Sequence, residues 1–219
     1  GGEVSDVRKV VSPVMKNKAK STFYHIDFSF DELRLGGSAF AQSRGFVGSD
    51  VPTVKNPDYF RDAFNAVQEL VNRGLLLAGH DISAGGLITT LLEMTFANTE
   101  GGMDICLDKF AQNDLVKLLF AENPGVVVQV ADKHKKEFKE LLDEAGVGYV
   151  KLGKPAEERQ IMVTFDDATY QFGIDYLRDI WYETSYLLDT KQSMNGCAKQ
   201  RFENYKQQPV EFNLRKDFE

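Results

Sequence analysis

Apolar and polar positions along the chain follow two periods, and the switches between them mark out its elements. From Thr22 to Phe28 (TFYHIDF) β-branched and aromatic residues dominate, with Phe23, His25 and Asp27 on one parity and Tyr24, Ile26 and Phe28 on the other. That pattern predicts a first strand. Gly36-Gly37-Ser38 then opens a short apolar run through Ala39, Phe40 and Ala41, and Asn56-Pro57-Asp58 starts a helix reaching about Arg73. Proline and aspartate both suit a first helical turn, and Gly74 suits its end. Leu75 to Ala78 predicts a short buried strand, His80 to Gly86 a turn, and Leu87 to Ala97 a long helix.

The theme continues downstream. Met103 to Leu107 reads as strand, Asn113 to Phe120 as helix, Gly125 to Val130 as strand and Lys133 to Ala145 as helix. Two more strands are predicted at Tyr149 to Leu152 and Gln160 to Phe165. Tyr176, Leu177, Ile180, Trp181 and Leu188 then fall at the spacing of one helical face. The charged run 132–144 keeps Phe138, Leu141 and Leu142 at helical spacing and reads as a solvated face. Mixed strands with interleaved helices give an α+β fold, a layered sandwich with a mixed sheet and flanking helices. No internal repeat or low-complexity segment stands out.

Composition narrows the class. With 219 residues and 42% hydrophobic content the chain can bury a core of its own, as one domain with extensions. A formal charge of −7 argues against a polyanion-binding surface, so nucleic acid is not an expected partner. No apolar run approaches the ~20 residues that span a bilayer, and no basic start leads into a signal-type stretch, so no membrane partner is expected and the location expected is cytoplasmic. Cys106 and Cys197 stand apart without metal-ligand spacing and read as reduced structural thiols. The start at Gly1-Gly2-Glu3, the polar first twenty residues broken by Pro13, and the loss of periodicity after Leu188 are the marks of an excised segment. The expected division is a lead-in at 1–20, a domain at 21–190 and a linker or wrapped arm at 191–219.

The most informative stretch is Gly79-His80-Asp81-Ile82-Ser83-Ala84-Gly85-Gly86-Leu87, set between a strand and an amphipathic helix. Polar residues at a strand end are placed to meet a ligand. Gly85 and Gly86 allow close backbone approach, a helix N-terminus favours phosphate, Asp81 offers a hard oxygen for Mg²⁺, and Ser83 offers a hydroxyl for a phosphate. An equally good local reading has Asp81 or Ser83 capping the helix and the glycines making the turn. His80 reads as a hydrogen-bonded structural residue before it reads as a base. Gly36-Gly37-Ser38 fits an anion site or a tight joint, and Glu122 fits a cleft carboxylate or a solvated loop.

The string HDISAGGLITTLLEMTFA (residues 80–97) resembles the HDxSxGGL signature of the second synthetase-like half of the phosphoribosylformylglycinamidine synthase family, within the aminoimidazole ribonucleotide synthetase superfamily. LGGSAFAQ (35–42), LFAENPGVVVQV (119–130) and WYETSYLLD (181–189) match in order, so the resemblance covers residues 10 to 190 or so and favours the large single-chain form. It implies the C-terminal domain type of that superfamily. It also implies a part of a carbon–nitrogen ligase that uses ATP and glutamine to turn formylglycinamide ribonucleotide into its amidine, no catalytic residue on this chain, and inactivity in isolation.

Carried over residue by residue, Asp81 becomes a Mg²⁺ ligand, Ser83 a contact to the nucleotide, and Gly85 and Gly86 the close backbone of an auxiliary site that holds ATP or ADP. Ala84 stands where some members carry an acidic residue, so no metal role attaches to it. The implied partners are the remaining domains of the synthase, the glutaminase among them, and apolar surface left bare without them predicts self-association. Two other readings stay open: a docking module without ligand, and another superfamily member such as selenophosphate synthetase or thiamine-monophosphate kinase.

Overall fold

The computed structural model describes residues 6–207. Its centre is one seven-stranded sheet in the order β2-β4-β1-β5-β3-β6-β7, formed by β1 (Ser21–Asp27), β2 (Leu76–Asp81), β3 (Gly102–Cys106), β4 (Gly125–Ala131), β5 (Tyr149–Ala156), β6 (Gln160–Phe165) and β7 (Ala168–Gly173). Every neighbouring pair is antiparallel except β3 and β6. The sheet is mixed, as expected.

β1 lies third from one edge and pairs on both sides, and residues of both its parities are buried, Phe23 in one core and Tyr24 and Ile26 in the other. Phe23 joins Val127, Leu152, Met103, Ile105 and Val163 beneath α3 (Gly86–Phe96), α4 (Leu115–Phe120) and the start of α6 (Ile174–Gln192). Tyr24 and Ile26, on the other parity, join Val128 and Val130 beneath α2 (Pro57–Asn72) and α5 (Lys135–Glu144), where the Tyr24 and Phe138 rings lie 4.7 Å apart. Burying both faces supplies the main favourable term in folding.

Several elements run further than the sequence pattern predicted. β2 continues past Ala78 to Asp81 because His80 and Asp81 pair with Val127 and Val126 of β4, so the expected turn at His80 begins only at Ile82. β5 reaches Ala156 because its second half pairs with β3. β7 went unpredicted: its residues are mostly exposed, so the burial-driven alternation is missing, and the hairpin turns at Asp166, whose φ is 50°.

Both extensions are bound to the domain. In the lead-in, buried Met15 donates its N–H to Met94 O at 2.9 Å, Lys16 exchanges hydrogen bonds with the Gln129 amide at 2.8 and 2.7 Å, and Gly79 N–H reaches Ser12 O at 3.1 Å, so the lead-in lies along the β2 edge. The boundary expected at residue 190 falls inside α6, and α7 (Cys197–Glu203) folds back onto it. Arg178, only 6% exposed, holds this corner: its guanidinium lies 3.7 Å from the Tyr205 ring centroid and 5.1 Å from that of Phe202, and donates to Phe202 O at 3.0 Å. Residues 208–219 of the expected linker, and 1–5 of the lead-in, lie outside the described residues.

Candidate functional site

The site is built where an edge strand delivers its last residue to a helix. β2 ends at Asp81, Ile82 N–H donates to Gly125 O at 2.8 Å, and Gly86 N–H donates to Ser83 O at 3.0 Å, closing the turn into α3. Asp81 projects a side chain that is 72% exposed, and Ser83 and Ala84 are exposed beside it. Ser83 Oγ makes no hydrogen bond among the described residues. Position Ncap of α3 belongs to Gly85, which has no side chain, so neither Asp81 nor Ser83 caps this helix.

The glycines answer to geometry first. Gly85 and Gly86 have φ of 89° and 71°, the left-handed region that other residues reach only with strain. A Cβ on Gly86 would stand 2.7 Å from Phe120 C and 2.8 Å from Leu119 O, so the absent side chain is what lets α3 and α4 approach. Of the two local readings of Gly86, close packing of the protein's own backbone has this direct warrant.

Glu122 occupies a position that the pattern of its neighbours did not reveal. Its Oε1 accepts from Gly85 N–H and from Ala39 N–H, both at 2.8 Å, so one carboxylate joins the N-termini of α3 and α1 (Ala39–Ser43). Both are positive helix ends, and the arrangement is electrostatically favourable. It also means that the Gly85 N–H is already engaged by an internal anion. Asn123, 4% exposed, completes the clip by accepting from Arg34 N–H at 3.1 Å and donating to Glu32 O at 3.0 Å. Gly36-Gly37-Ser38 forms a tight joint: Ser38 Oγ caps α1 by accepting from Ala41 N–H at 3.2 Å, and a Cβ on Gly36 would fall 2.5 Å from the Asp50 backbone.

His80 is held on two sides. Nδ1 lies 2.8 Å from Asp81 O and Nε2 lies 3.4 Å from Glu93 Oε2, while Glu93 Oε1 accepts from Trp181 Nε1–H at 2.9 Å. These contacts tie β2, α3 and α6 together, which is the structural role the sequence favoured for it. Among the described residues no three His, Cys, Asp or Glu side chains gather as a metal centre. Asp81 and Ser83 are thus a carboxylate and a hydroxyl, exposed and side by side, fitting a metal–nucleotide ligand only if further ligands come from outside this chain.

A model of the C-terminal domain of AIR synthase related proteins matches residues 29–166. The chain belongs to that family. Its match opens just after β1 and closes at the β6 turn, so the AIR synthase related domain spans Asp81, Glu122 and most of the sheet.

Among curated relatives, the chain is 33% identical over 204 residues to an Arabidopsis thaliana protein named probable phosphoribosylformylglycinamidine synthase, chloroplastic/mitochondrial, covering 92% of this chain and 14% of that one. It is 32% identical over 199 residues to the Homo sapiens phosphoribosylformylglycinamidine synthase, covering 88% of this chain and 15% of that one. The chain therefore spans about a seventh of the length of the curated relatives it matches. In fold it is similar to Thermotoga maritima PurL solved with ATP (TM-score 0.61, 14% identical, 78% of this chain and 28% of that one) and with FGAR (TM-score 0.62, 15% identical, 78% and 30%). At those identities the likeness is one of fold.

Proposed function

We propose that this AIR synthase related domain is one part of a phosphoribosylformylglycinamidine synthase, the purine-biosynthetic carbon–nitrogen ligase, and that it supplies one wall of an auxiliary Mg²⁺–nucleotide site. The observation that carries the reading is the exposure of Asp81 and Ser83 at the mouth of α3, where neither caps the helix and the Asp81 carboxylate lies 3.3 Å from His80 Nδ1 while staying open to solvent. Relatives so named support the enzyme assignment. The names of the PurL structures that include ATP and ADP support the nucleotide.

In this reading Asp81 gives one oxygen to Mg²⁺ and Ser83 donates its hydroxyl to a phosphate, while the other metal ligands come from a preceding domain. ATP or ADP bound there braces the domains, and the amidation chemistry takes place elsewhere in the synthase, with ammonia from a glutaminase domain. Gly85 and Gly86 shape the turn that presents both side chains. We assign the cytoplasm as its place; the plant relative's name makes an organelle the alternative to test by fractionation.

The test is calorimetric titration of Mg²⁺–ADP into the full-length synthase, wild type against Asp81→Ala. The expected result is a loss of affinity of at least about tenfold, the size of one charge-assisted ligand contact. Equal affinity in the two proteins would reduce the HDISAGG stretch to a turn.

One observation favours a second role beside it, domain docking. Tyr176, Ile180 and Leu187 lie on one face of α6 and are 71%, 50% and 56% exposed. An apolar stripe of that kind marks an interaction surface, and the partners we assign to it are the neighbouring domains of the same synthase.

A further inference from the structure

On the far side of β4 from Asp81, the end of β1 opens on a cavity of about 600 Å³. His25, Asp27, Asp31, Glu32, Phe110 and Tyr149 contribute to its lining, and no lysine or arginine does. Two of the three carboxylates are anchored in the wall: Asp27 accepts from Ser29 and Phe30 N–H at 3.0 and 2.9 Å, and Asp31 accepts from the Thr53 hydroxyl at 2.8 Å and pairs with the Arg34 guanidinium at 3.4 Å. Glu32 is exposed at the rim, and its carboxylate has no hydrogen bond or ion pair among the described residues.

His25 supplies the second, independent observation. It is 9% exposed, lines the cavity, and neither ring nitrogen has a protein partner among the described residues. The Phe110 ring stands 5.5 Å from the imidazole, centroid to centroid. A neutral imidazole offers one acceptor and one donor, so the cavity presents an unused acceptor, an aromatic face and a negative rim.

We propose that this cavity binds a small planar organic cation of the amidinium or guanidinium class, its N–H groups directed to Glu32 and to the unprotonated nitrogen of His25, its plane against Phe110. Charge decides the class. A phosphate or carboxylate would meet Asp27 and Glu32, while the guanidinium beside Asp31, that of Arg34, is already held by Asp31 and Asp50, and a metal ion would find no set of three ligands among the described residues. Between organic cations, a planar and weakly hydrated one suits an aromatic wall and a partly dry cavity better than an ammonium does.

The probe is benzamidinium, titrated into the chain at neutral pH and followed by calorimetry and by the His25 ring-proton resonances, with benzamide and benzoate as neutral and anionic controls of the same size. Saturable binding that shifts the His25 resonances is expected for benzamidinium and for neither control. Glu32→Gln and His25→Phe are each expected to weaken it about tenfold. Because Glu32 is exposed, its variant keeps the fold intact whatever happens on replacing His25. Benzoate binding as tightly, unchanged affinity in Glu32→Gln, or no saturable binding to the folded chain would each overturn the proposal.

Discussion

His25 shows how one buried residue couples this fold to pH. Burial disfavours its charged form and Asp27 opposes that only in part, so its pKa is lowered from 6.5 to about 4. Between those values the unfolded chain binds a proton that the folded chain refuses. Stability is therefore complete above about pH 6.5 and falls as pH drops toward 4, by at most about 3 kcal/mol. Urea midpoints at pH 7 and pH 4.5 should fall further apart in the wild type than in His25→Gln; parallel behaviour would refute the assignment. The sequence displayed His25 plainly as a strand residue, yet nothing local said that its ring would be enclosed. The same holds for Glu122, whose two N–H partners come from residues 39 and 85, distant in sequence and joined only by the folded chain.

At the scale of elements, the crossing of α3 and α4 depends on a position without a side chain. Gly74 and Gly86 both have positive φ, 66° and 71°, but a Cβ on Gly74 meets nothing within 4 Å whereas one on Gly86 would press into the backbone of Leu119 and Phe120. Gly74→Ala should cost about 1 kcal/mol, the penalty of a left-handed alanine, and Gly86→Ala about 2–4 kcal/mol, with overpacking added. Thermal unfolding of both variants checks the comparison, and equal losses would count against it. Helices α2, α3 and α5 were legible within a residue or two of their ends because their apolar periodicity and breakers are local. β7 and the last half of β5 were not, because their strand character comes from pairing with β6 and β3, and α7 was hidden because its partner face on α6 lies across a turn at Gly196.

The whole molecule pairs a well-filled sandwich with a bare flank. If the exposed stripe of α6 docks against neighbouring domains, the chain without them should self-associate through it. Sedimentation velocity at increasing concentration should reveal oligomers that Tyr176→Ser/Ile180→Glu/Leu187→Glu suppresses; a monomer at all concentrations would remove the docking role. The substituted positions lie outside both core clusters, so the triple variant is expected to keep its fold.

Periods, breakers and composition determined the α+β class, the mixed sheet, most element positions and the presence of a glycine turn into α3, because these follow from backbone sterics and side-chain burial over a few neighbouring residues. Resemblance in motif order pointed to the family, and the match over residues 29–166 carried it. Only the tertiary structure decided that Gly85, without a side chain, sits at the α3 cap and leaves Asp81 and Ser83 exposed and free of a capping role, that Glu122 is an internal anion, and that His25 faces a carboxylate-rimmed cavity. Each of those joins residues from separate elements, and their meeting is fixed by sheet order and helix packing that no local pattern encodes.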